Sequence, residues 1–248
     1  MSHAPNLSVI VACKNPGTRL HAALASVWAQ RDAALELIAV DGGSTDGTQA
    51  WLDARRAQIA TLIAEPDRGV YDAMNKGVAA ARGEWLCFLG ADDRFADDNA
   101  AASAHAHARD AAAGVVAGEA AFADGRIYRF DTAANPFARN FVHHQAALYR
   151  RELFAAHGAF DASLAVMADY DFNLRLRQRG VRFAPMPVRL AICGTGGLSD
   201  RGAWRGYREE ITVRHRHYPA WRCLGWDALS VVRWARKKML RSFSRSHG

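Results

Sequence analysis

The sequence predicts an α/β fold, in which a mostly parallel sheet is flanked by helices and a C-terminal helical tail follows. Short apolar runs alternate along the chain with segments of helical spacing, which is the pattern of successive βαβ units. The runs are apolar at nearly every position, as in VIVAC at 9–13, and such runs are typical of strands covered on both faces. In a sheet of this kind, ligands bind beyond the carboxyl ends of the strands.

The first half of the chain carries the clearest alternation. We predict strands at 7–13, 35–40, 59–64 and 84–89, separated by helices at 20–30, from Thr45 or Asp46 to Ala57, and at 70–81. The pattern loosens after Asp98. The elements expected there are short strands at 115–117, 127–130, 181–184 and 188–192, a helix that carries Arg150, a helix at 169–179, a loop at 194–197, and a tail helix at 224–243.

Composition limits the class of protein and its location. Half of the 248 residues are hydrophobic, which is enough for one sizeable core. The four cysteines stand far apart without metal-ligand spacing, and this usage is typical of a reducing cytoplasm. Residues 1–6 lack the features of a signal peptide, and no window approaches the ~20 apolar residues of a membrane-spanning helix. We therefore expect a cytoplasmic protein.

The net charge of +7 is concentrated near the C-terminus. Residues 220–248 contain seven Arg or Lys and one acid, so the body is nearly neutral, which argues against a nucleic-acid-binding protein. The simplest division is one domain at 1–199 and a basic helical tail at 200–248. Tryptophans among basic residues suit peripheral contact with an anionic membrane surface, here the inner face. A helix packed on the body with a solvated basic face explains the tail equally well.

Carboxylates follow two of the predicted strands, at the edge where ligands bind. Asp92 and Asp93 come directly after the apolar run WLCFL, and Asp41 ends the second strand. Two carboxylates at a strand end suit a hard divalent cation, Mg²⁺ or Mn²⁺, which also binds diphosphates. A solvated turn or a helix cap uses the same residue types, and for Asp41 taken alone an Asp-Gly turn is the simpler interpretation.

Two further segments hold candidate acid–base groups. Asp169 and Asp171 open a predicted helix, and their spacing of two points them in different directions. The helix dipole would keep Asp169 ionised as a general base, while Asp171 would cap the helix or pair with Arg175. Capping by Asp169 itself is the alternative. His143 and His144 have no third metal ligand nearby, so we interpret them as polar loop residues or an acceptor contact.

Taken together, these segments resemble the large family of inverting nucleotide-sugar glycosyltransferases known as family 2, which has the GT-A fold. The resemblance covers residues 7 to about 180. It is carried, in the family's order, by SVIVACKN, VDGGSTDGT, EPDRGVYDAMNKGVAAARGEWLCFLGADD, HHQAALYRRELFAAHGAFD and MADYDFNLRLRQRG. GGLS at 196–199 is similar to the family's usual ending. DGGSTDGT and YDAMNKG are the most specific of these segments, and the resemblance implies a Rossmann-like sheet of the GT-A type.

The resemblance implies a role for each candidate residue. Asp169 matches the acid taken as the catalytic base. Asp92 would bind the cation that bridges the donor's diphosphate, with Asp93 as a second metal contact. Nucleotide-sugar binding is implied for Ala12, Lys14, Asp41, Asp67, Asn75, Lys76, Ala91 and Asp92.

Two residues depart from the family's pattern. Gly90 stands in place of the first Asp of the Asp-x-Asp motif, so one metal contact is lost or is made through water or Asp93. Ala168 replaces the usual Glu before the base, so any acceptor contact of that Glu must come from elsewhere.

The expected activity is transfer of a sugar from a UDP-, GDP- or dTDP-sugar to a saccharide or lipid-linked acceptor, in surface polysaccharide or glycolipid synthesis. A sugar nucleotidyltransferase is a second candidate, but the loop ACKNPGTR holds one glycine where a Gly-rich basic loop is expected. A non-catalytic nucleotide-sugar-binding relative is a third, favoured by Gly90 and opposed by Asp92 and Asp169. A dinucleotide dehydrogenase is disfavoured because the first turn lacks G-x-G-x-x-G.

Overall fold

The computed structural model describes residues 5–195 and 204–245, with side chains to residue 240. The expected GGLS segment at 196–199 lies outside the described residues. The strands are β1 (Leu7–Cys13), β2 (Leu35–Asp41), β3 (Thr61–Ala64), β4 (Trp85–Gly90), β5 (Arg94–Phe95), β6 (Val115–Phe122), β7 (Ile127–Arg129), β8 (Ala147–Arg150) and β9 (Phe183–Cys193). The helices are α1 (Arg19–Trp28), α2 (Thr48–Asp53), α3 (Val70–Ala80), α4 (Ala100–Asp110), α5 (Glu152–His157), α6 (Ala168–Gln178), α7 (Trp204–His217) and α8 (Ala220–Arg245).

The described strands form one mixed sheet in the order β3-β2-β1-β4-β8-β6-β9-β5, with β7 beside β6. β1 pairs in parallel with β2 and β4, and β2 pairs in parallel with β3. β8 is antiparallel to both β4 and β6, so β6 and its parallel neighbour β9 run in the same direction as β1. The carboxyl ends of six strands therefore lie along one edge of the sheet. This arrangement confirms the predicted α/β fold with a mostly parallel sheet.

The core consists of two apolar layers, one on each face of the sheet. Alternate residues of β1 enter different layers, since Val9 and Val11 pack under α1, α2 and α4, whereas Ile10 packs under α3, α5 and α6. Each fully buried aliphatic side chain contributes roughly 1.5–3 kcal/mol. Contact is closest where α3 crosses β1, because a Cβ on Gly77 would lie 2.4 Å from Cγ2 of Ile10. The small residue at that position lets α3 lie directly on the sheet.

Four predicted elements were wrong in detail. The two strands expected at 181–184 and 188–192 are one strand, β9, in which Pro185 and Pro187 take exposed positions. Its pairing with β6 shifts register between Pro185 and Arg189, and such an irregularity accommodates residues that lack an N–H. Arg150 ends the short strand β8 instead of lying on a helix. The helix expected to reach Ala57 ends at Asp53, and a 3-10 turn follows at Arg56–Gln58.

The two C-terminal helices are joined by a buried network of charged groups. Arg214 on α7 has no exposed surface, and its guanidinium donates to Glu210 at 2.8 Å, to Ser230 at 3.1 Å and to Asp227. Its Nε also donates to the backbone carbonyl of Phe137 at 2.8 Å, which fixes α7 to the body. Removing one partner from a buried network of this kind costs about 3–5 kcal/mol.

The polar side of α8 therefore faces α7, while an apolar side faces outward. Trp221, Leu224 and Val232 are 75%, 65% and 61% exposed, and their helical spacing places them on one side of α8. The described part of the chain contains no helix long and apolar enough to cross a membrane. The helix begins at Ala220, four residues before the start expected from its sequence.

Candidate active site

Asp93 joins three segments at the carboxyl edge of the sheet. It is 4% exposed, and its Oδ1 accepts a hydrogen bond from the N–H of Gly194, just after β9, at 3.0 Å. Its Oδ2 accepts from the N–H of Gly90 at 2.8 Å and from the amide of Gln145 at 3.2 Å. Burial raises the pKa of Asp93, and the hydrogen bond from Gly90 only partly offsets this effect. Both oxygens of Asp93 are therefore engaged within the protein.

Asp92 occupies the neighbouring position and is half-buried. A Cβ on Gly194 would lie 2.6 Å from Oδ2 of Asp92, so the absence of a side chain at 194 makes room for this carboxylate. Gly90 has a related role, because a Cβ there would lie 2.7 Å from Oδ2 of Asp93. The Asp93 carboxylate thus occupies the space that a side chain at residue 90 would need. This gives a physical reason for the glycine at position 90, where the Asp-x-Asp motif has an Asp.

Asp169 lies in the first turn of α6 and is 6% exposed. Its Oδ1 accepts hydrogen bonds from the Tyr71 hydroxyl and from the Tyr170 N–H, each at 2.9 Å. Its Oδ2 accepts from the Asn140 amide at 2.8 Å and lies 2.9 Å from Nδ1 of His144. The carboxylate is therefore held by groups from α3, from α6 and from the segment before β8.

These surroundings favour the ionised form of Asp169. Burial raises the pKa of the carboxyl group, but the hydrogen bond and charge of His144, together with the Tyr71 hydroxyl, outweigh burial and lower that pKa below its ordinary value. For Tyr71, burial and the charge of Asp169 raise the pKa of the hydroxyl well above its ordinary value. Asp169 is thus held as a carboxylate at neutral pH by the hydrogen bonds and charge of its neighbours.

The two carboxylate centres are linked through the 3-10 turn His144–Ala146. Within this turn His144 contacts Asp169, and the next residue, Gln145, donates to Asp93. Asp92 and Asp169 therefore belong to one edge of the sheet, although they are far apart in sequence. His143, before the turn, is half-buried and lies against Tyr128. Desolvation of its ring, and to a smaller extent the neighbouring imidazole of His144, lowers the pKa of His143 to about 4.

Asp41 organises the loops that follow β1 and β2. It has no exposed surface, and it accepts hydrogen bonds from the Ser44 hydroxyl and from the Ser44 N–H at 3.2 and 3.3 Å. Burial and the charge of Asp41 raise the pKa of Cys13, whose sulfur lies 3.8 Å away, to about 12. Asn15 joins the loops, since its N–H donates to the Ser44 hydroxyl at 2.7 Å and its Oδ1 accepts from the Thr45 N–H at 2.8 Å.

Asp67 and Lys76 lie beside these loops. A Cβ on Gly42 would fall 1.8 Å from Oδ2 of Asp67, so this carboxylate packs directly on the Asp-Gly turn after β2. Lys76 on α3 donates to the carbonyl of Pro66 at 2.8 Å and pairs with Glu65 at 2.9 Å. The structure therefore places Asp67 and Lys76 around one loop next to Asp41.

The other candidates for nucleotide-sugar binding differ in their surroundings. The amide of Asn75 bonds to the backbone of Phe160 at both ends, at 2.8 and 3.0 Å, and so joins α3 to the segment before α6. Ala12 is buried near the end of β1, Lys14 is exposed in the loop after it, and Ala91 is half-buried beside the carboxylates. The donor roles implied for these residues stay predictions.

Several functional candidates were missed or only half-identified from sequence. Tyr71 lies in the segment YDAMNKG, but neither Tyr71 nor Asn140 was assigned a role, because a single Tyr on a helix and a single Asn in a loop have many ordinary roles. The sequence indicates His144 as a candidate but not its contact with Asp169, which lies 25 residues further along the chain. The expected pairing of Asp171 with Arg175 is confirmed at 3.1 Å. The described residues contain no group of three His, Cys, Asp or Glu side chains able to hold a metal by themselves.

Comparison with known proteins gives consistent similarities. Residues 8–159 match the sequence profile described as Glycosyl transferase family 2. A PGL/p-HBAD biosynthesis glycosyltransferase of Mycobacterium tuberculosis is 38% identical over 181 residues, covering 69% of this chain and 70% of the relative. S. aureus TarS 1-349 in complex with UDP-GlcNAc superposes with a TM-score of 0.68 at 16% identity, covering 84% of this chain and 66% of that one. Mannosyltransferase PcManGT from Pyrobaculum calidifontis, in complex with GDP-Man and Mn²⁺, superposes with a TM-score of 0.62 at 20% identity, covering 98% and 80%.

Replacement of Asp169 by Asn is expected to destabilise the protein in a pH-dependent way. The folded-state pKa of Asp169 is lowered, so its contribution is present above the unfolded-state value of about 3.9 and is lost as the pH falls through the folded-state value. We expect the variant to be less stable by about 1–3 kcal/mol at pH 7, because it leaves buried donors without an acceptor. The difference from wild type should shrink below about pH 4.

The free energy of unfolding in urea, measured from pH 7 to pH 3.5, checks this expectation. Asp98→Asn is the control, because Asp98 is exposed and pairs with exposed Arg31. A difference between wild type and Asp169→Asn that stayed constant over the whole range would contradict it.

Proposed function

Because this chain belongs to glycosyl transferase family 2, and is a glycosyltransferase that uses a nucleotide sugar, we propose that it transfers the sugar with inversion at the anomeric carbon. Asp92 would hold the donor's cation, and deprotonation of the acceptor hydroxyl would depend on Asp169. Direct displacement of a nucleoside diphosphate by one deprotonated hydroxyl inverts the reacting carbon. One observation carries the proposal, namely that the turn His144–Ala146 contacts Asp169 on one side and Asp93, next to Asp92, on the other.

The residues at the end of β4 fit a cation held jointly by protein and donor. Asp93 has both oxygens engaged in hydrogen bonds, whereas Asp92 is half-buried at the edge, in the space that the missing side chain of Gly194 leaves. Mg²⁺ is usually bound by one or two carboxylates together with substrate phosphates and water, so a single protein carboxylate is sufficient. A solved relative of the same fold contains Mn²⁺ with GDP-Man. When bound, Mg²⁺ or Mn²⁺ would neutralise the charge that develops on the leaving diphosphate.

The structure of the loops after β1 and β2 supports a nucleotide-binding site beside the Asp92 carboxylate. Their mutual hydrogen bonds through Asn15 and Ser44 fix the backbone before any ligand arrives, which lowers the entropic cost of binding. Asp41, Asp67 and Lys76 lie within or against these loops. UDP, GDP and dTDP sugars remain the candidate donors, since structural relatives contain UDP-GlcNAc and GDP-Man.

The second candidate activity, a sugar nucleotidyltransferase, gains no support from the site. A non-catalytic relative was favoured by Gly90 alone. The contact between Gly90 and Asp93 gives that residue a structural reason, and Asp169 is held as a carboxylate. Both observations support a working enzyme.

The outward side of α8 supports contact with a membrane and so a lipid-linked acceptor. Trp221 and Val232 lie on the exposed apolar side, and exposed basic residues, Arg222, Arg236 and Lys238, lie along the same helix. A helix with these features lies in the plane of an anionic membrane surface, with its apolar side among the acyl chains. A mycobacterial relative is named for the biosynthesis of PGL and p-HBAD. We infer a glycolipid or surface polysaccharide precursor as the acceptor.

Titration calorimetry with UDP, GDP and dTDP tests the donor site. We expect one of the three to bind in the presence of Mn²⁺, and Asp92→Ala to weaken that binding at least tenfold, a loss of about 1.4 kcal/mol. Asp110→Ala is the matched control, because Asp110 is an exposed acid on α4 that pairs with its neighbour Arg109. Binding that ignores both Mn²⁺ and Asp92, or no binding by any nucleotide, would contradict the proposed site.

Flotation with lipid vesicles tests the membrane contact. We expect the wild-type chain to float with vesicles of phosphatidylglycerol and phosphatidylcholine, and less with phosphatidylcholine alone. Val232→Glu should reduce flotation at least severalfold, because it places a charge on the apolar side of α8. Ile127→Glu on β7 is the control, since Ile127 is an exposed apolar residue away from this helix. Equal flotation of wild type and Val232→Glu would count against the contact.

A further inference from the structure

The Asp169 carboxylate has little capacity left for a substrate. Each carboxylate oxygen accepts about two hydrogen bonds in its plane, and both oxygens of Asp169 already have two partners, although the single proton of the Tyr71 hydroxyl is shared with the Val166 carbonyl, also at 2.9 Å. The side chain is also almost fully buried, and its pKa lies below the ordinary value. A carboxylate in this state is a weak proton acceptor, and an acceptor hydroxyl reaches it only by displacing one of its four donors.

His144 is a partner of Asp169 that is more exposed than the carboxylate itself. Its Nδ1 lies 2.9 Å from Oδ2 of Asp169, and its side chain is 17% exposed, about twice the exposure of the carboxylate. The described residues provide a hydrogen-bond partner for Nδ1 but none for Nε2. Its neighbour Gln145 contacts Asp93, which places this imidazole at the part of the edge that holds Asp92.

The contact with Asp169 determines which nitrogen of His144 carries the proton. Asp169 is ionised and therefore only accepts hydrogen bonds, so Nδ1 of His144 is the donor. In the neutral imidazole the lone pair is then on Nε2, the nitrogen without a partner in the described residues. A carboxylate behind an imidazole fixes its tautomer and stabilises the imidazolium that forms when it takes a proton.

We propose that Nε2 of His144 accepts the proton of the acceptor hydroxyl, and that Asp169 acts through His144 as its positioning and charge-stabilising partner. This inference rests on the proposed function and identifies the atom that contacts the acceptor. It also gives a role to a histidine that the sequence left among polar loop residues and acceptor contacts.

The proposed reaction step moves one proton, forms one bond and breaks one bond. The hydroxyl proton moves to Nε2 of His144, and the oxygen's electron pair forms the new bond to the anomeric carbon. The bond from that carbon to the phosphate oxygen breaks, and its electron pair leaves with the nucleoside diphosphate. The imidazolium of His144, stabilised by Asp169, then returns its proton to solvent.

Nuclear magnetic resonance tests the tautomer without any substrate. In a two-bond ¹H–¹⁵N correlation spectrum of the ¹⁵N-histidine-labelled chain, we expect the neutral His144 ring to show a protonated Nδ1 and an unprotonated Nε2. His144→Gln assigns the signal, and Asp169→Asn should shift the ring away from this tautomer. A neutral ring with the proton on Nε2 would overturn the proposal.

Measurements of turnover distinguish a failure of the role proposed for His144 from a failure of the proposed function. The readout is nucleoside diphosphate release from UDP-GlcNAc, GDP-mannose or dTDP-glucose, with water as acceptor. We expect His144→Ala to lower kcat by about 10²–10⁴-fold with little change in KM, and added imidazole to restore part of it. Asp169→Asn should lower kcat comparably, and the double variant should lose little more, because the two groups act as a unit. His107→Ala, an exposed histidine on α4, is the control and should behave as wild type.

The outcomes are distinguishable. Near-normal kcat in His144→Ala with a large loss in Asp169→Asn would overturn the role of His144 and leave the proposed function standing. Near-normal kcat in Asp169→Asn would overturn the role of Asp169 as well.

Discussion

The site depends on one buried carboxylate, that of Asp93. Its hydrogen bonds hold the end of β4, the residue after β9 and the 3-10 turn before β8 at fixed distances from one another. These three segments carry Asp92, Gly194 and His144, so the relative positions of these residues depend on this one group. The need to accommodate Asp93 also explains the glycine at 90, since any side chain there would meet its carboxylate. The cost of burying Asp93 is visible in its raised pKa.

A second buried carboxylate, Asp169, is central to the proposed proton transfer. Donors from two helices and a loop keep it ionised in a buried position, which desolvation alone would not allow. Its charge in turn favours a proton on Nδ1 of His144 and keeps the Tyr71 hydroxyl protonated. In the proposed mechanism, the buried Asp169 would stabilise charge while the partly exposed imidazole of His144 would contact the substrate. Asp93 and Asp92 would divide their roles in the same way, with Asp93 supporting the structure and Asp92 holding the cation.

Periodicity was sufficient to predict the parallel strands β1 to β4, and the strand-end carboxylates predicted the edge of the candidate site, whereas β5 was not predicted and β8 was predicted as part of a helix. Tyr71, Asn140 and His144 could not be assigned, because their roles arise from contacts with Asp169 across 98, 29 and 25 residues of sequence. The unbroken strand β9 was missed because prolines usually end strands, and only the pairing with β6 shows where they are tolerated. The orientation of α8 could not be predicted either, since its buried side includes Asp227 and Ser230, which contact the buried Arg214 of α7.

A crystal structure of the chain with Mn²⁺ and its nucleotide sugar would test whether Asp92 and His144 belong to one active site. We expect an anomalous Mn²⁺ peak within coordination distance of Asp92, and the anomeric carbon facing the imidazole of His144 across the edge of the sheet. Asp93 and Asp169 should keep the protein contacts described for them. A metal bound away from Asp92, or a sugar whose anomeric carbon faces away from His144 and Asp169, would contradict this arrangement.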